Sequence, residues 1–144
     1  MKMIAVDPGT VHVGISMWEE SACVLAKEYT VEDTVNLLVD MIRGRIEVPD
    51  IMVVEEFRVE PARAAALGGS DLGVVQMIGM FRLTAKLLGA NTDLVMQPNK
   101  VLRIAQGWMT VHGYRMQSRG SGPHAADAER HGYYYVYRHS LERE

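Results

Sequence analysis

The chain has 144 residues, of which 48% are apolar and 23% are charged, and its formal net charge at pH 7 is -3. This length and this balance predict one folded domain with a real core and exclude a disordered chain. The mildly acidic charge excludes a generally basic nucleic-acid-binding protein, so a polyanion site would have to come from local clusters of Arg and Lys.

The first elements are two strands joined by a tight turn. Residues 4–6 are apolar, Asp7 ends the first strand, and a second alternating run over 11–16 follows the Pro8-Gly9 turn at once. A carboxylate at this position could hold a metal or a phosphate, because glycine lets other backbone approach closely. Asp7 could equally do no more than open the turn. This stretch alone does not separate the two interpretations.

The next elements extend the sheet and add a helix. Residues 22–29 are typical of a third strand, which completes a meander, and 31–46 have helical apolar spacing after a Thr30 cap. The continuous apolar run over 51–54 predicts a strand that is buried on both faces. This strand ends in Glu55-Glu56, so that a second strand carries acid to its end.

A loop and a long apolar helix come next. Residues 58–70 contain Pro, Gly and Ala together with two arginines, which is typical of a mobile loop with at most a short helical turn. The run over 71–88 predicts a helix that is apolar around most of its circumference. Such a helix needs cover on more than one side, either within its own domain or from a second copy of the chain.

The last third of the chain predicts four further elements. These are a strand over 93–96, a short helix over 98–107, a glycine-rich basic loop over 113–122 and a final helix over 123–142. The loop has no apolar period, so we expect it to become ordered on a polyanion. The tyrosines of the final helix and His131 are expected to pack, and His131 could also support a ligand residue.

The final helix carries the remaining candidates for chemistry. His124 and Asp127 lie three residues apart, so they share one face of the helix near its start. Alone, this pair is typical of a solvated helix end. Together with Asp7 and Glu55, it predicts a site at one edge of a mixed sheet. Carboxylates suit Mg²⁺ or Mn²⁺, and two such ions can drive phosphodiester hydrolysis. His124 would be a ligand or a proton carrier.

These residues carry a family resemblance. The Asp7-Pro8-Gly9 turn with Gly14, the strand that ends in Val53-Val54-Glu55 and the helical His124-Ala125-Ala126-Asp127-Ala128 resemble the RuvC-type Holliday junction resolvases. The resemblance implies an RNase H-like α/β fold, in which helices flank a mixed five-stranded sheet made of a three-strand antiparallel meander and parallel strands. It also implies that Asp7, Glu55, His124 and Asp127 are catalytic and bind Mg²⁺ or Mn²⁺, with two ions in each site. Glu55 is preferred to Glu56 because it directly follows the apolar pair.

The resemblance further implies a homodimer that acts on branched DNA, meaning four-way junctions and flaps. The dimer would form through the helix over 71–88, with Val74, Met77, Ile78 and Phe81 at the interface. DNA contacts are expected from an aromatic residue and six basic residues, which are Phe57, Arg58, Arg63, Lys100, Arg103, Arg115 and Arg119. The chain is shorter than a typical bacterial resolvase, and its size favours a compact phage-encoded member.

Three other functions compete with a junction-resolving nuclease. YqgF-like RNA-processing nucleases share a related turn but carry a Gly-rich segment where this chain has Val53-Val54-Glu55-Glu56. Nucleotide-binding modules of the actin and sugar-kinase type need two domains to hold ATP. A non-catalytic junction-binding scaffold would keep the fold and the dimer but would not cut DNA.

The cellular location is predicted from what the sequence lacks. The single cysteine, Cys23, cannot form an internal disulfide and is most simply a small core residue. No apolar stretch is typical of a signal peptide or a membrane span. We therefore expect a cytoplasmic protein, in the host cytoplasm if the gene belongs to a phage.

Overall fold

A computed structural model describes residues 1–57 and 69–142. Five strands of these residues form a mixed sheet in the order β3-β2-β1-β4-β5. The strands are β1 (Lys2–Asp7), β2 (His12–Glu19), β3 (Ala22–Thr30), β4 (Ile51–Glu55) and β5 (Asp93–Gln97). The first three form an antiparallel meander, while β4 is parallel to β1 and β5 is parallel to β4. This architecture confirms the predicted fold class.

Four α-helices of the described residues flank the sheet. They are α1 (Val31–Ile42), α2 (Gly69–Leu88), α3 (Val101–His112) and α4 (Pro123–Glu142). In the part of the chain that the structure describes, no helix is both long enough and apolar enough to cross a membrane. The predicted loop over 58–70 lies largely outside the described residues.

Two helices end at residues other than those predicted. Helix α1 starts as expected, since Thr30 Oγ1 accepts a hydrogen bond from Asp33 N at 3.0 Å, but it ends at Ile42 instead of residue 46. The chain leaves the helix there because Gly44 has a left-handed φ of 69°. Helix α3 continues through Gly107 and ends only at Gly113, whose φ is 61°. A glycine inside an exposed helix weakens it without ending it.

Alternation along the strands gives the sheet two covered faces. Ile4, Val6, Met52 and Val54 form one core with residues of α1 and α2. Met3, Ala5 and Val53 lie on the opposite face, where residues of α4 cover them. Asp7 and Glu55 continue this second set at the period of two, so that both point toward α4.

Helix α2 buries only one of its faces. Met77, Ile78 and Phe81 are 1%, 8% and 0% exposed and belong to the core under the sheet. These three residues are therefore not available to a partner, and the predicted interface was wrong about them because the helix is covered within its own protomer. Val74 is half-buried. The apolar side chains that remain exposed lie on the other face, at Val75, Leu83 and Leu87.

Helix α4 lies directly on the backbone of β2. Three residues of one strand face meet three helix residues spaced by four, in the pairs Gly14 with His124, Ser16 with Ala128 and Trp18 with Gly132. Two residues along a strand and four residues along a helix both cover roughly 6 to 7 Å, so the strand and helix residues remain opposite each other in successive pairs. Ser16 Oγ donates to the carbonyl oxygen of Ala128 at 2.8 Å and accepts from Trp18 Nε1 at 2.9 Å.

We expect Gly14→Ala to destabilise the fold. A Cβ at this position would lie 1.9 Å from the His124 carbonyl oxygen and 2.2 Å from its carbon, which are backbone atoms that cannot turn aside. We expect a loss of about 2 to 4 kcal/mol in the free energy of unfolding, measured by denaturant titration. Gly107→Ala is the matched control, because a Cβ there meets nothing within 4 Å. It should stabilise helix α3 by about 0.5 to 1 kcal/mol, and equal effects of the two variants would contradict this account.

Candidate active site

The carboxylates of Asp7 and Glu55 meet at one edge of the sheet. Strands β1 and β4 are parallel, and Val6 pairs with Val54, so the residues that follow lie side by side. Asp7 is only 8% exposed. The two carboxylates lie close enough that Glu55 raises the pKa of Asp7. The interpretation of Asp7 as a residue that only opens a turn does not account for this interaction.

Helix α4 brings His124 and Asp127 to the same edge. His124 Nδ1 lies 2.9 Å from Asp7 Oδ2, and the charge of Asp127 also acts on Asp7. Gly9 makes room for the imidazole, since a Cβ there would lie 3.1 Å from His124 Cε1 and 2.0 Å from the His12 carbonyl oxygen. The structure therefore joins His124 to Asp7 directly, while Asp127 acts on Asp7 through its charge.

The concentration of negative charge shifts the protonation of the pair. Burial, the neighbouring Glu55 carboxyl, and the charges of Asp127 and Glu28 raise the pKa of Asp7 well above its usual range. For Glu55, burial would also raise the pKa. The hydrogen bonds from His131 and Asn99, together with the neighbouring Asp7 carboxyl, outweigh burial and hold the pKa of Glu55 below its usual range. Asp7 is therefore the carboxyl of this pair whose charged form the site disfavours.

A second set of contacts fixes Glu55, and the sequence only partly indicated it. His131 is fully buried, and its Nε2 lies 3.1 Å from Glu55 Oε2. Gln97 Nε2 lies 3.0 Å from His131 Nδ1, so this nitrogen accepts and Nε2 carries the hydrogen that reaches Glu55. Asn99 Nδ2 donates to Glu55 Oε1 at 2.8 Å. Gln97 and Asn99 could have been found, because they come where β5 ends at the same edge of the sheet.

The start of helix α4 is capped from another strand. Glu28 of β3 accepts a hydrogen bond from His124 N through Oε1 at 3.0 Å. Gly122, with a φ of 103°, brings the chain so close that a Cβ there would lie 2.3 Å from the same oxygen. A carboxylate at a helix N-terminus is favoured by the orphan amides and by the helix dipole. No local pattern in the sequence pairs residue 28 with residue 124.

Arg130 is a further residue that the sequence analysis missed. Its Nη1 donates to Asp127 Oδ1 at 2.9 Å, and its Nε donates to Gln106 Oε1 at 2.8 Å. The spacing of three residues on one helix is a signal that could have identified this ion pair. Over residues 1–57 and 69–142, no group of three or more His, Cys, Asp or Glu side chains is arranged to hold a metal ion. The four candidate residues instead use their polar atoms on one another and on these neighbours.

The predicted DNA-contact residues that the structure describes are exposed. Phe57 follows the end of β4 and is 37% exposed. Lys100 and Arg103 are exposed at the start of α3, and Arg115 and Arg119 are exposed in the segment before α4. Arg58 and Arg63 lie outside the described residues.

Neither a protein-family model nor a curated protein matches this sequence. The fold does match solved structures. RuvC of Thermus thermophilus in complex with a Holliday junction substrate has a TM-score of 0.65 at 17% identity, with 99% of this chain and 96% of that chain covered. The Holliday junction resolvase of fowlpox virus has a TM-score of 0.60 at 10% identity, with coverage of 98% and 99%. The yeast mitochondrial resolvase Ydc2 has a TM-score of 0.61 at 9% identity, with coverage of 98% and 80%. The chain therefore has the fold of the RuvC-type resolvases over nearly its whole length.

We expect Asp7→Asn to stabilise the protein when EDTA is present. The pKa of Asp7 is higher in the folded state than in the unfolded state, where it is about 4, so ionisation of Asp7 lowers the free energy of unfolding as the pH rises above that value. An amide does not ionise, so the stability gained by Asp7→Asn should grow with pH. We expect little change at pH 5 and a gain of about 1 to 2 kcal/mol at pH 8, seen as a rise of about 2 to 5 °C in Tm. Asp40→Asn, which alters an exposed ion pair with Arg45, is the control and should show no such trend. A gain that does not depend on pH would contradict the assigned protonation.

Proposed function

We propose that this protein is a divalent-metal-dependent endonuclease that resolves Holliday junctions or other branched DNA by hydrolysing phosphodiester bonds near the branch point. One observation carries the proposal. Asp7, paired with His124 and with a pKa raised by Glu55 and Asp127, lies at the strand ends of a chain with the resolvase fold. The fold alone would not be sufficient, because one fold can serve many functions.

The donor set fits a hard divalent cation. Asp7, Glu55, His124 and Asp127 would hold Mg²⁺ or Mn²⁺, with two ions in each site, because these ions take carboxylate oxygens and tolerate an imidazole. The raised pKa of Asp7 supports this, since it marks a carboxylate cluster that lacks a positive counter-charge. When bound, such ions activate the attacking water and stabilise the leaving oxygen.

The protein's own residues supply position and proton transfer. The buried imidazole of His131 and the side-chain amide of Asn99 contact the two carboxylate oxygens of Glu55 and hold it in one orientation. Arg130 neutralises Asp127, and its guanidinium would have to release Oδ1 before this oxygen could bind a metal. His124 is 40% exposed at its side chain, so its imidazole can exchange a proton with water or with a phosphodiester oxygen.

DNA binding would depend on local clusters of positive charge, because the whole chain is acidic. Contacts to phosphates would come from basic residues, namely Arg58, Arg63, Lys100, Arg103, Arg115 and Arg119, while Phe57 would contact the bases at the branch. Phosphate contacts set register and orientation, and the shape of a branched substrate supplies selectivity. The protein would do this work in the cytoplasm.

A homodimer would place two active sites on the symmetric strands of a junction. The outward face of α2 supports such a dimer, with Val75, Leu83 and Leu87 exposed at spacings of four and eight residues. Gly79 lies within this stripe, and a Cβ there would meet nothing within 4 Å. A glycine on an open apolar face lets a second helix approach closely. This face replaces Met77, Ile78 and Phe81 as the proposed interface.

A non-catalytic junction-binding scaffold is the second candidate. It is favoured by the absence, in the described part of the chain, of three side chains arranged around a metal position, and by the ion pair that occupies Asp127. The two candidates differ in cleavage and not in binding, so one assay separates them.

We expect metal-dependent nicking of branched DNA. Labelled four-way junction, flap, duplex and RNA substrates are incubated with Mg²⁺, with Mn²⁺ and with EDTA. Symmetric nicks near the crossover that require metal would support the proposal. Junction binding without cleavage in either metal would favour the scaffold, while cleavage of RNA alone would favour an RNA-processing nuclease.

We expect Asp7→Asn to abolish cleavage and to leave junction binding intact. The change removes a ligand charge but almost no volume, so the rate should fall by about 10³-fold or more while the Kd changes less than about threefold. Asp40→Asn makes the same chemical change on α1 and should retain full activity. Normal cleavage by Asp7→Asn would contradict the site assignment.

We expect Leu83→Glu and Leu87→Glu to break the dimer. These side chains are 59% and 60% exposed, so a charge costs the monomer little but cannot be buried in an interface. Light scattering at micromolar concentration should report a dimer for the wild type and a monomer for each variant. Leu141→Glu is the control, since Leu141 is 47% exposed on α4. A wild-type monomer would contradict the proposed interface.

A further inference from the structure

Helix α4 contains a buried carboxylate that the active site does not use. Glu129 is fully buried and lies two residues after Asp127. Oε2 accepts from the Tyr114 hydroxyl at 2.6 Å and from Gln117 N at 2.8 Å, and Oε1 accepts from Ser118 N at 2.8 Å. Burial of a carboxylate is costly unless hydrogen bonds compensate it, so these three bonds are a condition of its presence in the core.

All three donors belong to one short segment of the chain. Residues 114–118 form the first half of the glycine-rich stretch that separates α3 from α4. The sequence predicted a loop that becomes ordered on a polyanion, because it has no apolar period. Here a carboxylate takes the place of that polyanion. Ser118 is only 4% exposed as a result, and Tyr114 packs against Tyr133 with their ring centroids 4.7 Å apart.

The same segment presents two exposed arginines. Arg115 lies between the anchored Tyr114 and Gln117, and Arg119 directly follows the anchored Ser118. A turn closed by the hydrogen bond from Ser121 N to the Ser118 carbonyl oxygen, at 2.8 Å, then leads the chain toward α4. The anchored backbone therefore limits where both guanidinium groups can reach.

The anchor and the active site share one rigid element. His124, Asp127 and Glu129 lie within six residues on α4, which is about 8 Å along a helix axis. The backbone of α4 therefore fixes the position of residues 114–118 relative to the candidate catalytic residues. Arginines held in advance lose less conformational entropy when they bind phosphate.

We infer that Glu129 is a positioning residue for substrate binding: it holds residues 114–119 so that Arg115 and Arg119 contact phosphates of branched DNA in register with the active site. This inference rests on the proposed function, because it assigns the bound polyanion to that substrate. Glu129 acts through the two arginines and does not itself touch the DNA.

Glu129→Gln is the variant that tests this role with the least change in shape. A carboxylate offers two acceptor oxygens, whereas an amide offers one oxygen and one NH₂. Either orientation of the amide directs its NH₂ at a backbone N–H of Gln117 or Ser118, so at least one anchoring bond is lost. Tyr114→Phe is a milder second variant, since it removes only the phenol hydrogen bond and keeps both backbone donors.

The test is a double-mutant cycle on junction affinity. Dissociation constants and their salt dependence are measured for the wild type, Glu129→Gln, the Arg115→Ala/Arg119→Ala pair and the triple variant, with catalysis prevented by EDTA. We expect Glu129→Gln to weaken binding by about tenfold and to reduce the slope of log K against log salt by about 1 to 2, because one or two phosphate contacts are lost. Tyr114→Phe should have a smaller effect in the same direction. In the background without the two arginines, Glu129→Gln should have no further effect.

Two further measurements separate the possible failures. Hydrogen exchange at the amides of Gln117 and Ser118 should accelerate at least tenfold in Glu129→Gln, while exchange in β1 and β4 stays unchanged. Arg45→Ala, far from the segment in sequence and 62% exposed at its side chain, controls for loss of general positive charge and should not change affinity.

Unchanged affinity and salt slope in Glu129→Gln would overturn the inference. So would an equal loss in both backgrounds, which would mean that Glu129 acts through the stability of the fold. If Glu129→Gln does not fold, the same cycle with Tyr114→Phe decides the matter. A wild type that binds no branched DNA would overturn the proposed function and the substrate role together, while the exchange data would still show whether Glu129 anchors the segment.

Discussion

The close contact between helix α4 and strand β2 is the constraint on which the rest of the structure depends. Gly14 allows the helix backbone to lie directly on the strand, and Ser16 and Trp18 continue the contact at the spacing of the helix. Any side chain at position 14 would push His124 outward. Because His124, Asp127, Glu129 and His131 all lie on this helix, one backbone contact sets the position of the candidate site, of its support and of the anchored segment.

The site concentrates negative charge in a place where the fold must compensate for it. Burial and the neighbouring carboxylates raise the pKa of Asp7, and donors from outside the pair limit the repulsion that remains. His131 and Asn99 donate to Glu55, and Arg130 is paired with Asp127. Sites of this kind lower stability in exchange for function, which is why we expect an amide at position 7 to improve the fold and abolish the activity.

Local organisation, and not total charge, would let an acidic chain bind DNA. The net charge of -3 gives no overall attraction to a polyanion. The exposed arginines at positions 115 and 119 belong to a segment whose backbone is held by a buried carboxylate of the opposite sign. Glu129 can hold the backbone amides without neutralising the arginines, because its carboxylate faces the core while they face solvent.

The sequence by itself determined the strands, the order of the elements and the four candidate site residues. Alternation and continuous apolar runs are local signals, and acids at the ends of parallel strands must meet at one edge. Only the tertiary structure decided which face of α2 is covered, since a helix that is apolar all round carries no information about its neighbour. Only the structure also paired Glu28 with His124, Gln97 with His131 and Glu129 with residues 114–118. These contacts join residues that are distant in the chain. The sequence around one residue does not specify such a partner, because only the folded backbone brings the two side chains together.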